Sequence, residues 1–249
     1  MRCESGAAGE RFVPDSDAAA VRRLFSLIAR AYDPLNHILS FGLDAGWRRK
    51  LAESLHPMPA GEDGRILDIA AGTLGVSMVL AEHFPEYEIA ALDFCLPMLR
   101  RGKRKALKLR RGKIRLLSGD ARALPLRDAC ADAVTVAFGL RNIRPRERAY
   151  AEVLRVLRPG GRFRVLEFVG AEERVLFGLY NRYLHHVLPA AGGLCSGNHA
   201  AYRYLADTIH RYPAAEKVDE EMRSAGFAGV RHELFTAGIV GIHCGEKTA

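Results

Sequence analysis

The chain has 249 residues, 49% of them hydrophobic and 27% charged, with a formal net charge of +8. That much apolar material supports a sizeable core and excludes a disordered or low-complexity chain. The basic balance suits nucleic acid, an anionic membrane or an acidic ligand, and a plain basic enzyme equally well. Five cysteines, Cys3, Cys95, Cys130, Cys195 and Cys244, lie far apart and form no CxxC pair. Reduced thiols in a cytoplasmic protein are therefore expected, rather than a disulfide framework or a zinc site. No apolar run reaches the roughly 18 residues of a membrane span, so any membrane contact is expected to be peripheral, at the inner face.

In chain order, residues up to about Asp17 read as a loose tail. Val21, Leu24, Phe25 and Ile28 then recur at helical spacing, with Arg22, Arg23 and Arg30 on the other side. The segment PMPAGEDG (57–64) reads as a loop. From Arg65 the pattern alternates: RILDIA as strand, VSMVLAEHF as helix, EIAALD as strand, PMLRRGKRKALKL as helix, then KIRLLS and ADAVTVAF as strands. ERAYAEVLRVL follows as a helix stopped by the breaker PGG (159–161), and RFRVLEFV as a fifth strand. Strands alternating with helices predict a doubly wound, mostly parallel α/β sheet, whose ligands bind outside the carboxyl ends of the strands. After Glu167 come a wide apolar helical face (Val175 to Leu188), a Gly-rich loop, the aromatic segment AYRYLADTIHRYP, the helix KVDEEMRSAG and an antiparallel pair, GVRHELFT and GIVGIHCG. The whole is read as one domain: tail and N-terminal helices (1–60), cofactor core (61–170), substrate-cover helices (171–213) and a closing helix and strand pair (214–249).

Chemistry is expected on the loops of one sheet edge. The first strand carries Asp68 and runs into Ala70, Ala71, Gly72 and Thr73, where small residues let backbone amides approach a ligand. The second strand ends in Asp93, placed to accept both hydroxyls of a ribose. The third runs into Asp120 and Ala121, whose carboxylate suits an exocyclic amine. Together they outline a nucleoside-shaped site, although the first loop lacks the GxGxxG pattern of dinucleotide folds.

The element order and RVLRPGGRF resemble class I S-adenosylmethionine-dependent methyltransferases. YDPLNHILSFGLDAGWRR (32–49), VAFGLRN (136–142), RVLRPGGRFRVLEF (155–168), YRYLADTIHRYP (202–213) and GIVGIHCG (238–245) are similar to the ubiquinone/menaquinone biosynthesis C-methyltransferases. The resemblance implies a Rossmann-like fold with an antiparallel C-terminal strand, and transfer of a methyl group from S-adenosylmethionine to a ring carbon of a lipid-tailed quinol. It places Asp68, Gly72, Thr73, Asp93, Asp120, Ala121 and Ala137 around the cofactor. Tyr32, Asn36, Arg141, Asn142, Tyr202 and Arg203 fall on the acceptor side, with Arg141 and Asn142 as catalytic candidates. A quinol hydroxyl titrates near tyrosine, at roughly 10, so a guanidinium that stabilises the phenolate would activate the ring. His185, His186 and His199 lie in the expected cover; none is singled out as a base, and each reads at least as well as a surface histidine.

The chain departs from the family pattern at Gly72-Thr73-Leu74-Gly75, where relatives read GTGD. Leu74 places a branched side chain where the backbone usually meets the cofactor, and a left-handed backbone there costs leucine roughly 1–2 kcal/mol. Asp44 stands where relatives often have a histidine, and Val169 where they have a serine. The expectation is a working but adjusted cofactor site; the alternative is a non-catalytic quinone-binding or assembly relative with a disabled loop. A nucleic-acid methyltransferase is disfavoured, because FGLRN stands where an Asn/Asp-Pro-Pro-aromatic turn would hold an exocyclic amine. The cations between Arg100 and Arg115 suit a solvated helix face, an anionic membrane or a nucleic-acid patch, and the 175–188 face suits core, an isoprenoid tail or a homodimer seam.

Overall fold

The computed structural model describes residues 18–29, 32–58, 64–108, 114–169 and 199–248; for Tyr202 and Arg203 the description stops at the backbone. The apolar face at 175–188 and the pair His185 and His186 lie outside the described residues, as does the side chain of His199.

Seven strands form one sheet in the order β3-β2-β1-β4-β5-β7-β6. They are β1 (Arg65–Ile69), β2 (Glu88–Asp93), β3 (Ile114–Ser118), β4 (Ala131–Ala137), β5 (Leu157–Phe168), β6 (Ala228–Phe235) and β7 (Val240–Glu246). β7 runs antiparallel between β5 and β6, and the pairings from β3 across to β5 are parallel. Among the described residues the α-helices are α1 (Ala18–Ile28), α2 (Tyr32–Leu39), α3 (Asp44–Glu53), α4 (Gly75–His83), α5 (Leu96–Lys108), α6 (Arg146–Val156), α7 (His199–His210) and α8 (Ala215–Ala225). The chain order reverses between β1 and β4, which opens the crevice where such sheets bind ligands.

Strand alternation sorts side chains into two cores, one on each face of the sheet. Ile66, Ile89 and Ala133 face a layer containing Trp47, Leu51 and Leu80. Their neighbours Leu67, Ala90 and Val134 face a layer containing Tyr150, Val153 and Phe227. Burial on both sides explains why these strands read as near-continuous apolar runs. The PGG segment does more than stop α6. β5 already pairs with β4 at Leu157, and the register shifts before Arg162. A methyl at Gly161 would fall 2.7 Å from the Arg158 carbonyl oxygen, so this irregularity needs glycine.

Charged groups tie the far edge together. Arg164, 2% exposed, donates to the Ser54 carbonyl just beyond α3 (3.0 Å) and to the Gly245 carbonyl on β7 (3.1 Å). Asp219 of α8 accepts from His232 Nδ1 (2.7 Å) and His243 Nδ1 (2.8 Å), which face each other across β6 and β7.

Candidate active site

A cavity of about 640 Å³ opens at the carboxyl ends of β1, β2, β3 and β4. The sequence builds its floor from strained turns. Ala70, Gly72 and Leu74 all have positive φ (54°, 54° and 65°), so the chain after β1 makes repeated left-handed steps. Phe138 (φ 54°) does the same after β4, and Gly139 follows because a methyl there would lie 2.5 Å from Ala70 Cβ. Left-handed non-glycine residues persist only where the surroundings hold them, and they concentrate at functional sites.

Leu74 corrects the expectation drawn from the loop. Its backbone is left-handed as anticipated, but its side chain is fully buried and packs with Ala71, Ala91, Leu99 and Ala106, away from the cavity wall. Gly102 of α5 makes the room: a methyl there would collide with Leu74 Cγ and lie 2.8 Å from the Thr73 carbonyl carbon. Gly75 lies under the Arg48 guanidinium, and Arg48 pairs with Asp44 at 2.9 Å. Asp44 is also 2.9 Å from His37 Nδ1.

Among the expected residues, Tyr32, Gly72, Asp93, Asp120, Ala121, Ala137, Arg141 and Asn142 line this one cavity. Asp93 accepts from the Gly72 amide (2.8 Å) and the Cys95 amide (2.7 Å). Burial raises its pKa and these amides oppose the rise. Each carboxylate oxygen keeps a further lone pair for a ligand donor. Asp120 is held the other way: hydrogen bonds from Arg122, the closest at 2.6 Å, keep its carboxyl below the usual range.

Asp68, Thr73 and Asn36 are not on the cavity wall. Asp68 lies beneath the loop, 1% exposed, accepting from Ser77 Oγ (2.5 Å) and Thr135 Oγ1 (2.9 Å). Burial pushes its pKa up to about 6, against those two bonds. The Thr73 hydroxyl donates to Asp33, whose other oxygen pairs with Lys105 at 2.9 Å; α2 is thereby tied to the loop and to α5. Asn36 hydrogen-bonds the Tyr32 side chain, whose hydroxyl is raised in pKa by burial and pulled back by the charge of Arg141.

The other end of the cavity is built around Arg141, 5% exposed. Its Nη1 donates to Glu167 Oε1 (2.5 Å), and its own amide donates to Glu167 Oε2 (3.3 Å). Its guanidinium lies 5.6 Å from the Phe168 ring centre, and its Nε has no partner among the described residues. Burial works against the charge of Arg141, but Glu167, helped by Tyr32 and Tyr204, more than restores it. Next to it, Asn142 Oδ1 accepts from the Tyr204 hydroxyl at 2.9 Å.

Sequence reasoning passed over Phe25, Phe94, Met98, Tyr204 and Glu167. The first four read as ordinary helix or loop apolars. Glu167 carried a signal, an acid inside the apolar run VLEFV, because carboxylates are almost never fully buried without a partner.

An acid-headed crevice at the switch point of a 3-2-1-4-5-7-6 sheet is the arrangement of the class I methyltransferases. Solved structures share the fold: an S-adenosylmethionine-dependent methyltransferase of Thermotoga maritima superposes with a TM-score of 0.63 at 18% identity, covering 90% of this chain and 100% of that one. Phosphoethanolamine N-methyltransferase 2 of Haemonchus contortus, in complex with S-adenosyl-L-methionine, does so with a TM-score of 0.59 at 15% identity, over 82% of this chain and 53% of that one. The chain belongs to the ubiE/COQ5 methyltransferase family, whose model matches residues 13–247. The demethylmenaquinone methyltransferase of Thermus thermophilus is 45% identical to it over 90% of this chain and 100% of that one. The ubiquinone/menaquinone biosynthesis C-methyltransferase UbiE of Syntrophotalea carbinolica is 43% identical over 91% and 94%.

Proposed function

We propose that the chain methylates a ring carbon of a polyprenylated quinol, a demethylmenaquinol or a ubiquinol precursor, with S-adenosylmethionine as methyl donor. One observation carries the reading: a single cavity joins Ala70 and Gly72 after β1, and the acids Asp93 and Asp120 after β2 and β3, to a wall of Tyr32, Arg141, Asn142 and Tyr204. The names of the relatives point the same way.

The residues present fit the donor. The amides that hold Asp93 leave it lone pairs for a ribose, Asp120 and Ala121 edge the space for an adenine, and Gly72 and Ala137 line it without side chains that intrude. Asp68 and Thr73 act from below, one holding Ser77 and Thr135, the other holding Asp33. S-adenosylmethionine supplies, when bound, an electrophilic methyl group. The protein orients the acceptor, excludes water and stabilises charge on the quinol oxygen. Arg141 serves that charge, Asn142 and Tyr32 hold the ring, Asn36 orients Tyr32, and Tyr202 and Arg203 of α7 belong to the cover. Among the described residues no histidine lines the cavity; a water, or one of His185, His186 and His199 whose side chains lie outside the description, takes the quinol proton unless the quinol arrives ionised. Residues 1–249 act as one methyltransferase domain.

The disabled-loop alternative rested on Leu74 obstructing the cofactor, and that side chain is packed inside the protein. The test is calorimetric titration with S-adenosylhomocysteine, followed by transfer of labelled methyl to demethylmenaquinol and to a ubiquinol precursor. Micromolar binding with transfer to one quinol is expected. Binding without transfer to either would overturn the substrate, and no binding by folded protein would overturn the cofactor.

No helix among the described residues is long and apolar enough to cross a membrane. A lipid-tailed substrate is reached instead by surface contact. Arg100, Lys103, Arg104, Leu107 and Lys108 share one exposed face of α5, and exposed Leu27 lies on α1, which packs against α5. Anionic vesicles should therefore sediment the protein, and added salt or reversal of Lys103 and Arg104 should release it. Equal binding to neutral vesicles would count against this.

A further inference from the structure

We propose that Glu167 is a positioning residue for methyl transfer, acting through Arg141; the proposal rests on the quinol reading above. Glu167 is fully buried in β5, between Leu166 and Phe168 in an otherwise apolar segment. Burying an ion pair is weak support for stability, since an apolar pair of similar volume serves a core at least as well. The acceptor capacity of this carboxylate is concentrated on one neighbour. Oε1 takes Arg141 Nη1 and the Phe168 amide (3.0 Å), while Oε2 takes the Arg141 amide. One acid therefore fixes both the guanidinium and the backbone of the turn that presents it. Phe168, the next residue, supplies the ring beneath that guanidinium.

The result at the acceptor end is an aimed and partly compensated charge. The groups facing the pair are Tyr32 from α2, Tyr204 from α7 and Tyr212 beyond it, and burial raises the pKa of each phenol. A guanidinium held in this way is preorganised for the negative charge that the quinol oxygen gains on losing its proton, the ionisation that makes the ring carbon nucleophilic. Glu167→Gln keeps the shape and one acceptor but removes the compensating charge. Arg141 then becomes a stronger but poorly aimed cation. The aim governs kcat, and the uncompensated charge moves acceptor ionisation, and with it the acid limb of the pH profile, to lower pH. A purely structural acid would do neither in the folded fraction.

The test is a double-mutant cycle on the full chain with Arg141→Gln, Glu167→Gln and both, each checked for S-adenosylhomocysteine binding by calorimetry. Glu167→Gln is expected to lower kcat by about 100-fold, the scale of a misplaced catalytic group. It should leave S-adenosylhomocysteine affinity within about twofold and cost nothing further, within about twofold, in the Arg141→Gln background. Its acid limb should move down, whereas Glu167→Asp, which keeps the charge but shortens the reach, should lose kcat with the limb unmoved. If Glu167→Gln fails to bind S-adenosylhomocysteine, Glu167→Asp takes its place in the cycle with the same non-additive outcome expected. Losses that multiply between Arg141 and Glu167, or unchanged kcat, would overturn the assignment. A wild-type protein that binds S-adenosylhomocysteine but methylates no quinol would overturn the substrate reading instead.

Discussion

At the scale of single residues, opposing terms decide two positions. Leu74 sits at φ 65° with its side chain fully buried. Leu74→Gly relieves roughly 1–2 kcal/mol of left-handed strain but empties a core site worth about 2–5 kcal/mol. The difference is a loss of about 0–4 kcal/mol, centred near 2, so the variant should be less stable in urea unfolding. Its affinity for S-adenosylhomocysteine should change little, because the leucine side chain is off the cavity wall. Asp68 is the second case. Its folded pKa, about 6 against 3.8, means that the folded state binds the extra proton between those values. Stability from this group therefore falls as pH rises through that window, leaving a penalty on the order of 3 kcal/mol at neutral pH. Asp68→Asn should match wild type near the lower end of that window and exceed it increasingly toward neutral pH in denaturation measured across the range. A constant difference would refute the account.

At the scale of elements, the decisive contact is the clamp formed by α2. Asp33 accepts from Thr73 on the loop after β1 and pairs with Lys105 on α5, so a helix remote in sequence holds the loop in its left-handed course. Asp33→Ala removes both partners. S-adenosylhomocysteine binding should weaken by about tenfold, the equivalent of a lost charge-assisted hydrogen bond. Unchanged affinity would show that the loop holds its own shape. The same logic explains the blocks that stood out in the sequence. In FGLRN, Phe138 makes the left-handed step, Gly139 permits the approach to Ala70, Leu140 enters the core, and Arg141 and Asn142 take Glu167 and Tyr204. The motif was legible; its partners were not, because Glu167 and Tyr204 are brought to it by β5 and α7.

At the scale of the whole molecule, the antiparallel end of the sheet depends on charged groups that span elements. Asp219 links α8 to both β6 and β7 through His232 and His243, with Glu216 and Arg223 at its margin. Burial works to raise its pKa, but the two histidines outweigh that and hold it below the usual carboxylate range. Such a group stabilises above its unfolded value and loses that contribution as pH falls through its folded value. Asp219→Asn should lose roughly 2–3 kcal/mol at neutral pH and a correspondingly smaller amount in strong acid, read by thermal unfolding at both conditions.

The sequence by itself determined the fold class, the strand ends at which chemistry is expected and the family. Periodicity, breakers and acids at strand ends are local signals, and crossover handedness turns them into a topology. It also showed that Leu74 was unusual. Only the tertiary structure decided where that side chain goes, because the space it fills is a missing Cβ on α5, at Gly102. Likewise the structure alone paired Arg141 with Glu167 and Thr73 with Asp33. Which buried charge meets which is set by the packing of distant elements, and no spacing along one chain encodes that distance.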